Sequence, residues 1–167
     1  MNIPIHTCNI SLNLVTTKNI GIGSKEGDVD VHIKHILLKG MFGGTQSVGI
    51  GSWAGDNTKL EVHNSNINMN MRAVKLCAIG LAQNSSIVNV QQTGIMIKAE
   101  GKEAISLGNF NRNSKIQFVN SDIDSRIKTG MEYDVGAQES DVYIENGRIS
   151  FIMNGEEVVR EMVDVAL

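Results

Sequence analysis

Apolar and polar residues alternate along this chain in short runs, which is the period of a β-strand and not of a helix. Leu60-Glu61-Val62 and Ile67-Asn68-Met69-Asn70-Met71 show it most plainly. The runs return at a fixed interval, each time closed by a glycine-bearing tetrad. The tetrads are Ile20-Gly21-Ile22-Gly23, Val48-Gly49-Ile50-Gly51, Cys77-Ala78-Ile79-Gly80, Ile105-Ser106-Leu107-Gly108 and Tyr133-Asp134-Val135-Gly136. Their last glycines lie 28, 29, 28 and 28 residues apart.

Aligned on that glycine, the units match column by column. The residue one before is Ile22, Ile50, Ile79, Leu107 or Val135, and three before is Ile20, Val48, Cys77, Ile105 or Tyr133. Thirteen before stand Ile10, Leu38, Ile67, Ile95 and Ile123; eighteen before, Ile5, Ile33, Val62, Val90 and Phe118; twenty before, Ile3, Val31, Leu60, Val88 and Ile116. Fifteen before is a small or modest residue: Cys8, Ile36, Ser65, Thr93 or Ser121. All of these columns are expected to face inward.

Each unit predicts three short strands. In the third unit they are Lys59 to Val62, Asn66 to Met71 and Cys77 to Ile79, with a bend at His63-Asn64-Ser65. One such unit cannot bury its inward side chains, but stacked units make a continuous core. The predicted fold is all-β: a single-stranded parallel β-helix of about six coils of 28 residues, stacked about 4.8 Å apart. A sixth, partial unit (Val142-Tyr143-Ile144, Gly147, Ile149, Phe151, Met153) lacks the tetrad. The helix body is expected over 1–155, with 156–167 as a C-terminal capping segment of the same domain. The spacing of Val158, Val159, Met162 and Val163 in that segment admits a helix. Turn formers recur before the first strand, at Thr58, Ser86, Ser114 and Ser140. At the bend stand Asn64, Gln92, Asn120 and Asn146, and asparagine tolerates left-handed backbone.

This repeat resembles the right-handed parallel β-helix superfamily typified by pectate lyases. The resemblance is architectural, covers nearly the whole chain and implies a right-handed winding. That superfamily includes polysaccharide lyases, glycoside hydrolases, phage tailspikes and non-catalytic surface modules, and the general likeness suggests a bacterial source. No family-specific catalytic motif is present, so no catalytic residue is carried over.

Composition narrows the partners. The net charge of −3 and pI of about 5.8 give no footprint for nucleic acid. No run of 18 apolar residues predicts a membrane-spanning helix. The first residues do not read as a signal peptide, which leaves the localisation open. The first coil starts at Ile3 with no cap before it. Either a preceding segment of a longer protein covers it, or two copies associate end to end through this uncapped N-terminal coil.

The candidate chemistry is sparse. Cys8 and Cys77 fall in different inward columns two coils apart, too far for a disulfide, and read as buried thiols. His6 and His63 share an outward column, with His35 at a neighbouring bend; His32 is the fourth histidine, and the spacings match no zinc motif. No metal and no cofactor are therefore expected. The richest outward cluster is Lys98, Asp122, Asp124, Arg126 and Arg148. Stacking sets Asp122 beside Arg148 and Lys98 beside Arg126. Asp122 and Asp124 share a face about 6.5–7 Å apart, a separation permissive for glycoside chemistry. The structural alternative is a salt-bridge ladder between adjacent coils. Trp53 and Phe110 follow the glycine turn and either stack on sugar rings or pack against the turn.

Three functions follow. The leading one is a non-catalytic binding or structural module, the C-terminal part of a larger bacterial protein, with a glycan or protein ligand. Trp53, Phe110, Lys98 and Arg148 are its candidate contacts. The second is a polysaccharide lyase or glycoside hydrolase acting at Asp122, Asp124 and Arg126. The third is a spacer or oligomerisation stalk.

Overall fold

The computed structural model describes residues 1–54, 58–81, 86–108, 115–131 and 141–157. Among these there is no helix; the chain winds as a parallel β-helix. Coil one consists of β1 (Asn2–His6), β2 (Asn9–Val15) and β3 (Lys18–Glu26). Coil two has β4 (Val29–Lys34) and β5 (Leu37–Ala54), and coil three has β6 (Thr58–His63) and β7 (Asn66–Leu81). Coil four has β8 (Ser86–Gln91), β9 (Gly94–Glu100) and β10 (Glu103–Gly108). Coil five has β11 (Lys115–Val119) and β12 (Asp122–Lys128). Coil six has β13 (Asp141–Glu145) and β14 (Ile149–Met153), and β15 (Glu156–Glu157) turns back along it.

The first strands of the six coils form one parallel sheet in the order β1-β4-β6-β8-β11-β13. The second strands form another, and β5 and β7 carry it round a corner onto a third face shared with β3 and β10. The predicted coil count is refined here. Four coils show all three faces, the sixth is partial, and the third segment of the fifth, around Tyr133 and Val135, lies outside the described residues.

The spacing of the tetrads reappears as strand register. Asn2 pairs with Asp30, Val29 with Thr58, Lys59 with Ile87, Ile87 with Lys115 and Ile116 with Val142, offsets of 28, 29, 28, 28 and 26 residues. Ile22, Ile50, Ile79 and Leu107 stand in one file. So do Val31, Leu60, Val88 and Ile116, each at most 2% exposed. Glycine is obligatory in the turn file. Gly51 has φ +134°, and a Cβ on it would lie 1.7 Å from the carbonyl oxygen of Gly80.

The first corner, between the first and second strands, repeats in every coil. Thr7, His35, Asn64, Gln92, Asn120 and Asn146 all hold positive φ, between 45° and 56°. The inward position beside them carries a hydroxyl ladder. Thr93 Oγ1 donates to the Gln91 carbonyl (2.8 Å) and accepts from the Ser65 amide (3.3 Å); Ser121 Oγ donates to the Val119 carbonyl (2.9 Å) and accepts from the Thr93 amide (3.2 Å). Ser65 repeats the arrangement with His63 and Ile36. Each hydroxyl thus satisfies backbone groups that the bend removes from the sheet.

Two inward assignments need correction. Cys8 stands in the file of Ile36, Ser65, Thr93 and Ser121 but is exposed, because coil one has a stacked neighbour on one side only. The file three before the glycine is buried but apart from the main core. Val48, Cys77 and Ile105 form a second cluster, against which Ile20, Trp53 and Met131 pack. The adjoining file, Gly21 and Gly49, is the one that approaches Phe42 and Met69 of the main interior. Burial pushes the Cys77 thiol far above its ordinary range, and its sulfur reaches the Gly108 carbonyl at 3.5 Å.

Candidate functional site

The second corner, where β5, β7, β9 and β12 leave the second face, does not repeat. Coil by coil it carries Gly43-Gly44, Arg72-Ala73, Glu100-Gly101-Lys102, Lys128-Thr129 and Asn154-Gly155. A groove of about 820 Å³ runs along it and is continued by a depression of about 700 Å³ that shares Arg72, Glu100, Lys128 and Asn154. The glycine and alanine positions keep its floor low; a Cβ on Gly101 would lie 2.3 Å from the Ala73 carbonyl oxygen. At coil six the Asn154 side chain mimics a further peptide. Its Oδ1 accepts from the Thr129 amide (2.8 Å) and its Nδ2 donates to the Thr129 carbonyl (2.9 Å).

Strand register sets the charges of this groove. Arg72, Glu100 and Lys128 are stacked neighbours, as are Asn70, Lys98 and Arg126. Among the described residues, five cations line it (Arg72, Lys98, Lys102, Arg126, Lys128) against one carboxylate, Glu100. Glu100 is shared, 3.7 Å from Arg72 Nε and 4.0 Å from Lys128 Nζ. Arg126 is engaged from outside the groove by Asp124, through Nε to Oδ1 (3.1 Å) and Nη2 to Oδ2 (3.2 Å). That hydrogen bond and the carboxylate charge raise the Arg126 pKa further. Among the described residues, no carboxylate is within ion-pair distance of Lys98 or Lys102.

The expected outward cluster is only partly assembled. Lys98 does stack beside Arg126, and both line the groove. Asp122 does lie beside Arg148, but the contact comes from the Arg148 backbone amide, which donates to Asp122 Oδ1 at 3.1 Å. The expected ladder between coils is here replaced by the Asp124–Arg126 pair within one strand. Neither Asp122 nor Asp124 lines the groove. Trp53 is half-buried against the second apolar cluster. Phe110, Tyr133 and the capping residues 158–167 lie outside the described residues.

Some charges outside the groove are answered locally. On the first sheet Lys59 Nζ lies 2.6 Å from Glu61 Oε1, and His32 lies between Glu61 Oε2 (2.8 Å) and Asp30 Oδ1 (3.0 Å). The hydrogen bond from Lys59 holds the Glu61 carboxyl below its ordinary range, against the opposing effect of partial burial; Glu61 in turn raises Lys59. His6 and His63 share a column, with Lys34 between them. Among the described residues, no three His, Cys, Asp or Glu side chains converge as an ion site.

Of the charged residues that line the groove, the sequence pattern singles out only Lys98 and Arg126. One signal was available: the link after the second strand is basic in three consecutive coils, at Arg72, Lys102 and Lys128. Comparison of the chain with models of known protein families, with curated proteins and with solved structures returns no match. The class is therefore given by the architecture itself: a parallel β-helix with a basic groove along its axis.

Proposed function

We propose that the protein is a non-catalytic binding module that holds a linear acidic polysaccharide in the groove of its second corner. The observation that carries this reading is the five-to-one excess of cations lining an axial groove in a chain of net charge −3. Lys98 stands directly beside Arg126 on the adjacent rung, and Asp124 answers only Arg126, so Lys98 is left without a carboxylate among the described residues. An unanswered cation beside a second one is expected where an anionic ligand supplies the missing charge. A straight groove with rungs about 4.8 Å apart suits an extended chain carrying charge at regular intervals. Among the described residues, no aromatic side chain lines the groove on which a nucleic-acid base could stack, which favours a glycan over single-stranded nucleic acid.

The test is binding of polygalacturonate, with neutral amylose as control, by wild type and by Lys98→Glu/Lys102→Glu. Two attractions become two repulsions, each on the order of 1 kcal/mol at close range in water, so affinity should fall at least about a hundredfold. The melting temperature should not fall, because among the described residues neither lysine has a carboxylate partner to lose. Polygalacturonate binding that is undiminished in the double variant, or equalled by amylose, would refute the proposal.

A further inference from the structure

A second site lies on the third face near the start of the solenoid, independent of the basic groove. A small pocket of about 120 Å³ is lined by Lys18, Asn19, Ile20, Lys25, Gln46 and Trp53. Its wall is already braced. The Asn19 side chain is 5% exposed and donates to the carbonyls of Thr16 and Gly43 while accepting from the Thr16 hydroxyl. Ile20 and Trp53 pack together on the cluster of Val48, Cys77 and Ile105, which holds the indole in place.

One atom in this pocket is unexplained by the fold. Gln46 Oε1 is shielded from solvent and, among the described residues, has no hydrogen-bond donor. A buried carbonyl oxygen without a donor is costly, and it marks either a strained site or one that a ligand completes. The companions of this oxygen decide the ligand class. An indole offers a flat apolar surface, an amide oxygen accepts from a hydroxyl, and two ammonium groups attract a carboxylate. Lys18 is exposed and free of any ion pair among the described residues; Lys25 is exposed and shared with Glu26 at 3.4 Å. A hydroxyl-rich ring that also carries a carboxylate meets all three.

We infer that this pocket takes a single hexuronate ring. The ring packs on Trp53, the Gln46 amide turns to present Oε1 to one of its hydroxyls, and its carboxylate lies between Lys18 and Lys25. A neutral hexose would lack the ionic contact, and a simple carboxylate would lack both the stacking and the hydroxyl.

The chain contains one tryptophan, so its fluorescence reports on this pocket alone. D-glucuronate should shift or quench the emission saturably, at concentrations on the order of millimolar for so small a ligand. D-glucose and acetate at matched ionic strength should each be at least about tenfold weaker. Gln46→Leu should weaken the glucuronate response about tenfold, through loss of the acceptor. Lys18→Ala, at an exposed position, provides a variant that keeps the fold and should weaken it severalfold. Emission indifferent to glucuronate would overturn the inference. So would a glucose response equal to it, or a response unchanged in both variants. The Lys98→Glu/Lys102→Glu protein should retain the fluorescence response, which separates failure of this site from failure of the groove.

Discussion

The first and second corners of the solenoid are built on opposite plans. At the first, every coil repeats a positive-φ residue, and an inward hydroxyl ladder joins four consecutive coils from Ile36 through Ser65 and Thr93 to Ser121. At the second, the coils carry different residues, and the backbone is closed by local devices such as the Asn19 and Asn154 amides. The first corner is satisfied from within. The second leaves a groove and five cations for one carboxylate. Repetition identifies residues that hold the fold, and departure from repetition identifies residues free to serve a ligand.

The sharpest way to break this comparison is to damage the first corner. Thr93→Val keeps the shape but leaves the Ser65 amide without its acceptor. An unsatisfied buried donor costs about 1–3 kcal/mol. At this chain length each kcal/mol lowers the melting temperature by roughly 2–4 °C. Thermal unfolding by circular dichroism should show that drop, with polygalacturonate affinity unchanged below the transition. If Thr93→Val cost no stability, the ladder would not be what holds this corner.

A smaller effect is expected at Asn120, which holds φ +49°. Glycine adopts that conformation freely, whereas a β-branched side chain is strained there by about 1–2 kcal/mol. Asn120→Val should therefore melt several degrees below Asn120→Gly. Equal stability of the two would mean that the corner relaxes, and that its repeated backbone conformation is not a requirement.

The second corner should respond in the opposite currency. Glu100 is the one carboxylate of the groove and is exposed alongside two exposed cations, so its ion pairs add little stability. Glu100→Gln frees Arg72 and Lys128 for the ligand. Affinity for polygalacturonate should rise severalfold, measured by calorimetry at low salt, and the gain should shrink as salt is added. Weaker binding in this variant would show that Glu100 itself contacts the ligand or orders its neighbours.

This contrast explains what could be read from the chain. Files such as Val31, Leu60, Val88 and Ile116 were legible because alternation and a constant spacing carry them, and the register reproduces that spacing. Asn64, Asn120 and Asn146 were legible for the same reason, while Thr7 and His35 occupy the identical conformation without a residue type that announces it. Arg72, Glu100 and Lys128 sit in links of changing composition, and only register shows that they stack. The Trp53 pocket was illegible as a unit. It joins Lys18 and Lys25, from opposite ends of one strand, to Gln46 and Trp53 of the next coil. Cys8 was misjudged because its column says which way it points and says nothing of whether a coil covers it.

The first sheet supplies the control for both corners, since its Lys59, Glu61, His32 and Asp30 charges are paired but line neither groove nor pocket. Glu61 is held below its ordinary pKa, chiefly by the hydrogen bond from Lys59. A depressed folded-state value means that its contribution is present above the unfolded-state pKa, about 4.3, and is lost as pH falls through the folded value. Acid unfolding of the wild type should therefore carry a component below about pH 4.3 that Glu61→Gln lacks. At neutral pH that variant should be slightly less stable and bind polygalacturonate as the wild type does. An affinity change in Glu61→Gln comparable to that in Glu100→Gln would mean that the groove responds to charge anywhere on the solenoid. The second corner would then have no claim to be the binding site.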